Sequence, residues 1–165
     1  MMRCLRLLIA GLALAFLASP LAAAEGDPEA IVRSIYAQYG EGGVRFDVPE
    51  AYFSEELLGL WRAVDEGAEG DVEDALGFAI FTASREAEVI AIDDVRLELL
   101  AEKYVIASYV VIVEEQNAIA ATKKYFQYNF EKTAGGWKID NIDWGPDRRT
   151  LRDYLIELKA LRALK

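Results

Sequence analysis

The ionisable side chains of this sequence limit the reactions that it could catalyse. The chain has no histidine and a single cysteine, Cys4. Without imidazole, the commonest general base, the Ser-His pair and histidine metal sites are all excluded. No Gly-rich phosphate loop of the Walker or dinucleotide-binding type occurs either. An enzyme built on this chain would therefore depend on carboxylates, tyrosines or lysines.

Two pairs of aspartates are the first candidates for such chemistry. Asp93 with Asp94, and Asp140 with Asp143, lie where an alternating apolar pattern changes parity. A carboxyl group that is buried in apolar surroundings can exchange protons near neutral pH and serve as a general acid or base. The alternative is that these acids face water at bulges and turns. The sequence favours this second interpretation, because nothing selects one acid over another.

A third acidic cluster has the oxygen ligands that calcium prefers. Its members are Asp65, Glu69, Asp71, Glu73 and Asp74. A twelve-residue calcium loop beginning at Asp65 would end at Leu76, where the bidentate acid is required. The sequence therefore favours a solvated acidic loop, and we predict neither a metal nor a cofactor.

Aromatic side chains are the candidates for a binding cavity. The residues that we predict to contact a ligand are Tyr36, Tyr39, Trp61, Tyr128 and Trp144. Aromatic walls with a few hydroxyl groups suit small amphipathic ligands. An ordinary hydrophobic core uses the same residue types, and the sequence favours core over cavity at these positions.

The N-terminus has the pattern of a secretory signal peptide. Arg3 and Arg6 precede an uncharged apolar run over residues 7–17, and the small residues Ala22–Ala24 follow. A basic end, a short apolar core and an A-x-A site in this order indicate export. We predict cleavage between Ala24 and Glu25, so that residues 1–24 are removed. The alternative is an uncleaved anchor, but the apolar run is about half of the ~20 residues that a spanning helix needs.

Removal of the leader would leave residues 25–165 as one domain without a thiol, because Cys4 lies in the basic end of the leader. We predict a periplasmic or secreted location for this domain, without a disulfide. The whole chain carries a formal net charge of −10. Nucleic acid and anionic membrane surfaces would repel such a protein on average. We therefore predict no nucleic acid partner and no membrane association after signal removal.

The periodicity of the apolar residues predicts helices first and strands later. An amphipathic helix is predicted over 28–39, a second helix begins at Ser54, and a third over 72–83 is compatible with the pattern. From Glu88 onward the period changes to two, which predicts four strands in an antiparallel meander. A last helix is predicted over 148–164. We expect an α+β fold with N-terminal helices packed on a curved four-stranded meander and with a C-terminal helix.

Four short phrases resemble a family of exported bacterial proteins of unknown function. They are IYAQY at 35–39, YFSEEL at 52–57, GGWKIDNI at 135–142 and LRDYL at 151–155. The family is similar to the nuclear-transport-factor-2-like superfamily, whose cone-shaped sheet wraps a long helix. The resemblance covers most of residues 28–158, and it implies a single cone-shaped α+β domain.

With this resemblance and without a catalytic constellation, three kinds of function stay open. We predict a non-catalytic module that binds either a small molecule inside the cone or a protein on the open face of the sheet. Superfamily enzymes use an aspartate inside the cone, so one alternative is a carboxylate-based isomerase or dehydratase. The other is an inhibitor or immunity-type protein that acts through the sheet face. Members of the superfamily often pair through their sheets, which allows a homodimer.

Overall fold

The computed structural model describes residues 27–38, 51–66, 72–84, 89–115, 118–145 and 149–164. The helices are α1 (Pro28–Ala37), α2 (Glu55–Asp65), α3 (Val72–Leu76) and α4 (Leu151–Arg162). The strands are β1 (Val89–Leu100), β2 (Tyr104–Glu115), β3 (Ala118–Thr133) and β4 (Gly136–Asp143). This order confirms the predicted α+β class. The predicted signal peptide, with its Ala24–Glu25 cleavage site, lies outside the described residues.

Three of the helices begin at capping residues that the sequence provides. The Asp27 side chain accepts a hydrogen bond from the Ala30 N–H at 2.8 Å, and Ser54 Oγ accepts from the Leu57 N–H at 3.1 Å. Thr150 and Asp153 form a reciprocal capping box at the start of α4. Such caps satisfy N–H groups that have no partner inside the helix.

The third helix is shorter than predicted. It ends at Leu76 instead of Ala83, and Gly77 follows with a φ of +75°. A glycine in this left-handed conformation commonly terminates a helix, because it has no Cβ to strain. Residues 79–83 form a buried turn instead, in which the Ala83 N–H donates to the Ala79 carbonyl at 2.8 Å.

The four strands form one antiparallel sheet in the order β1-β2-β3-β4, which confirms the predicted meander. Three register shifts interrupt it: between Val89 and Ala91, between Asp93 and Arg96, and between Asn129 and Phe130, where Asp140 is the extra residue on β4. The second and the third lie where the sequence changes parity. Each extra residue restores the alternation, so that apolar side chains before and after the bulge point to the same face.

The helix α1 packs on one face of the sheet, which we call the inner face, where Tyr36 contacts Tyr109 and Tyr128. Along β2, the inner residues Val105, Ala107, Tyr109 and Val111 are fully buried, whereas the alternate residues are half-buried. The helix α1 contacts β1 and β2, and α2 and α4 contact β4 and each other. The opposite side of the sheet, the outer face, carries the alternate set of side chains. None of the helices in the described ranges is both long enough and apolar enough to span a bilayer.

Candidate functional site

Three tyrosines from different elements meet in the core below the inner face of the sheet. The hydroxyl groups of Tyr36 and Tyr128 lie 2.5 Å apart, and both side chains are buried. The rings of Tyr36 and Tyr109 pack with their centroids 4.5 Å apart. Residues from α1, β2 and β3 thus form a single aromatic cluster with its polar atoms directed inward.

The buried turn supplies the acceptors for this cluster. Tyr109 Oη donates to the Phe81 carbonyl at 2.7 Å, and Tyr36 Oη lies 3.3 Å from the same oxygen. Trp144 Nε1 donates to the Ile80 carbonyl at 2.8 Å. Every residue from 79 to 83 is buried, and a buried carbonyl without a partner would be costly. The aromatic side chains therefore hold a segment of the chain itself between the helices and the sheet.

The predicted ligand-binding residues do not form one wall. Tyr36 and Tyr128 are in contact, whereas Trp144 packs against Phe78 with ring centroids 5.1 Å apart. Trp61 is half-buried and packs edge to face on Phe53. Tyr39 lies outside the described residues. A role in ligand binding stays a prediction for all five positions.

The paired acids lie at two of the three bulges and at the end of β4. Asp93 and Asp94 are exposed, Asp94 has a φ of 48°, and its carboxylate accepts from Arg96 Nε at 2.9 Å. Asp143 is half-buried and accepts from the Gly145 N–H at 2.8 Å. The positions of these acids match the expectation that they face water at bulges and turns.

Asp140 is part of a polar network that connects three elements. Its carboxylate lies 2.5 Å from Arg152 Nη2 and accepts from Ser54 Oγ at 3.0 Å. Arg152 also bonds Glu56 at 2.6 Å and the Asp140 carbonyl at 3.2 Å. Only 20% of the Arg152 side chain is exposed. The guanidinium group therefore links α2, the bulge in β4 and α4, which assigns Asp140 a structural role in this arrangement.

The acidic cluster for which the sequence favours a solvated loop over a calcium site lies largely outside the described residues. Glu69 and Asp71 are outside them, the side chains of Glu73 and Asp74 are not described, and Asp65 is exposed at the end of α2. Among the side chains that the structure describes, no three metal-binding residues come together.

The outer face carries the exposed apolar surface that the sequence reading did not single out. Ile119 is 73% exposed and Tyr125 is 58% exposed on β3, next to the half-buried Ile106, Val110 and Ile112 of β2. The sequence shows that outward-facing and inward-facing residues alternate along each strand. It does not indicate which of the two sets of β2 faces outward, because both sets are apolar.

Two grooves border on Tyr125. The larger has a volume of about 490 Å³ and the smaller about 230 Å³. The larger groove is lined by Ile106, Tyr125, Phe126, Gln127, Asp143, Gly145, Arg149, Thr150 and Asp153. The smaller is lined by Ala83, Lys123, Lys124, Tyr125, Phe126, Trp144 and Gly145.

The charged groups of the larger groove are already bonded within the chain. Arg149 forms an ion pair with Glu157, and Asp153 accepts from Thr150 Oγ1 at 2.9 Å. Since Asp143 accepts from the Gly145 N–H, each of these charges has an internal partner. The Tyr125 ring and the Ile106 side chain remain as contact surface. The groove is therefore suited to contact by shape and apolar area more than by charge.

Comparison of the chain with protein-family models, with curated proteins and with solved structures finds no match. The geometry described above is therefore the basis for the functional argument.

Proposed function

We propose that this chain is an exported, non-catalytic binding module that engages a partner protein through the outer face of its sheet, centred on Tyr125. Export follows from the signal-like leader, and the cone architecture of the superfamily that the sequence resembles is part of the same proposal. The observation that carries the proposal is the exposure of Ile119 and Tyr125 beside three half-buried aliphatic residues. Exposed apolar area on one face of a protein is typical of interaction sites.

The inner face offers less support for a ligand site. The hydroxyl groups of Tyr36 and Tyr109 and the indole N–H of Trp144 are within hydrogen-bonding distance of carbonyls of the buried turn. A ligand in the same place would have to displace residues 79–83 and replace those hydrogen bonds. Binding at the outer face requires no such rearrangement.

The isomerase or dehydratase alternative also has less support. It requires a carboxylate inside the core, whereas the buried polar side chains in the described ranges are those of Ser54 and Thr82. The four candidate aspartates are exposed or half-buried. An inhibitor or immunity-type protein that acts through the sheet face is a particular case of the proposed binding module.

Site-specific photocrosslinking in the producing cell tests the proposal. A photoreactive phenylalanine analogue replaces Tyr125 in one variant and Val110 in a second. The control carries the analogue in place of Ile156, which is 51% exposed on α4 and thus about as accessible as Tyr125. We expect a discrete crosslinked protein at positions 125 and 110 and none at 156, with the same partner identified by mass spectrometry at both outer-face positions.

Two results would contradict the proposal. One is the absence of any crosslinked protein at both outer-face positions. The other is equal crosslinking at positions 125 and 156, because a specific interface engages one side of the molecule in preference to the other.

A further inference from the structure

Carboxylates border the apolar surface of the outer face. On β1, Glu98 lies opposite Ile106 and Asp93 lies opposite Val110. Glu114 follows on the same face of β2, and all three acids are exposed. Residues that lie opposite each other in an antiparallel pair project from the same face of the sheet. Three acids therefore lie beside the surface that the proposed function uses.

The spacing of these acids is regular. Ile106, Val110 and Glu114 are separated by four residues each along β2. Because a strand advances about 3.3 Å per residue, the cross-strand rows that contain a carboxylate are about 13 Å apart. The acids thus accompany the apolar residues of β2 along most of the strand.

The charges of these acids are available to a partner. Within the described part of the chain, no hydrogen bond or ion pair engages the carboxylates of Glu98 and Glu114. The carboxylate of Asp93 accepts from the N–H of the neighbouring Asp94 at 2.7 Å and is not paired with a base. A basic side chain that approaches this border would not have to displace an internal cation.

Two bases on the same face are already engaged. Arg96 Nε bonds the Asp94 carboxylate at 2.9 Å. Lys138 lies on β4 opposite Glu131, and its Nζ donates to the Ala51 carbonyl at 2.7 Å. These internal contacts compensate both cations, so they oppose a basic partner less than free lysines would.

Lys123 is the base that lies among the apolar residues. It is exposed on β3 opposite Val110, and its Nζ is 5.2 Å from the centroid of the Tyr125 ring. Its row contains Asp93 on the β1 side of Val110. A basic partner would therefore meet acids along β1 and a like charge at one position of β3.

We propose that the partner of the outer face is a basic segment of a protein. An apolar side chain of this segment packs on Tyr125, and its lysine or arginine side chains lie about 13 Å apart, opposite the rows of Glu98, Asp93 and Glu114. Charges at the border of an interface steer the encounter and fix the orientation. The net charge of −10 attracts the same partner from a distance. This inference rests on the proposed function and adds the chemistry of the partner.

Charge reversal in the crosslinking cells tests the inference. The photoreactive analogue stays at position 125, and Glu98→Lys or Glu114→Lys is added. We expect each reversal to lower the crosslinked fraction roughly three- to tenfold, because an attraction becomes a repulsion. The matched control Glu66→Lys changes the net charge equally at the exposed C-terminal end of α2, and its yield should stay close to that of the parent chain.

A second variant is expected to act in the opposite direction. Lys123→Gln removes the like charge, so we expect the crosslinked fraction to rise roughly two- to threefold with the analogue at position 125 and at position 110. Its matched control is Lys159→Gln on the exposed side of α4. Net charge alone would change the yield equally for both lysine variants. Circular dichroism of the purified variants checks that each is folded, and Glu98→Gln replaces Glu98→Lys if the latter is not.

The crosslinked peptide gives an independent measurement. Mass spectrometry identifies the segment of the partner that is attached at position 125. We expect lysine or arginine residues about four positions apart if this segment is a strand, or about eight positions apart if it is a helix, since both spacings span roughly 13 Å.

The outcomes separate this inference from the proposed function. No crosslinked protein at positions 125 and 110 would end both. A crosslinked protein with equal yields for Glu98→Lys, Glu114→Lys and Glu66→Lys would overturn only the inference. An acidic crosslinked segment, a second copy of this acidic chain, or a lower yield for Lys123→Gln would do the same. A decrease confined to the two outer-face acids, with an increase for Lys123→Gln, would support it.

Discussion

In the aromatic interior of this fold, the hydroxyl groups of Tyr36, Tyr109 and Tyr128 determine what these side chains contact. Two of the hydroxyl groups lie within hydrogen-bonding distance of the Phe81 carbonyl, and the third lies against Tyr36. Each buried hydroxyl group would lose its water on folding, so it needs a partner inside the protein. The buried turn provides carbonyls at the required positions. These residues therefore stabilise the packing of a loop against the sheet.

A double-mutant cycle measures the Tyr36–Tyr128 contact. We expect Tyr36→Phe and Tyr128→Phe each to lower the free energy of unfolding by about 1 kcal/mol, because each removes one member of a buried hydrogen bond. The double variant should cost clearly less than the sum of the two, by about 0.5–1 kcal/mol. Urea denaturation provides the values, with the exposed Tyr125→Phe as a control below about 0.5 kcal/mol. Strict additivity would show that the two hydroxyl groups do not interact.

The elements of this fold were predictable to different degrees. Capping residues and alternation predict α2, α4 and the four strands, and the changes of parity at Asp93–Asp94 and Asp140–Asn141 predict two of the three bulges. The turn at 79–83 could not be predicted, because its carbonyls are satisfied by side chains from distant elements instead of by a local pattern. The point at which the pairing of β4 with β3 ends could not be predicted for a similar reason. The length of a strand can be read from its alternation, but the reach of its neighbour depends on register.

The bulge in β1 has a backbone requirement that substitutions can test. Asp94 has a φ of 48°, a region in which β-branched residues are strained. We expect Asp94→Val to lower the free energy of unfolding by about 1–2 kcal/mol and Asp94→Gly to leave it within about 0.5 kcal/mol. Both variants remove the ion pair with Arg96, and Arg96→Ala gives the contribution of that pair alone. Equal losses for valine and glycine would mean that the left-handed conformation is not populated.

At the scale of the whole molecule, two features bear on the same question of partners. The acidic charge disfavours nucleic acid and anionic surfaces, and the outer face offers apolar area. The outer face is therefore where we expect the proposed protein partner to bind.

The predicted leader can be tested on the protein recovered from cells that express the full chain. We expect N-terminal sequencing to begin at Glu25, since signal peptidase requires small residues at the first and third positions before the cut, here Ala24 and Ala22. Ala24→Leu should leave most of the chain unprocessed, which mass spectrometry detects as the retained residues 1–24. Ala23→Leu lies between the two required positions and serves as the matched control, with processing close to wild type. Because an uncleaved anchor would leave all three chains at full length and bound to the membrane fraction, that result would contradict both the cleavage and the export that the proposed function assumes.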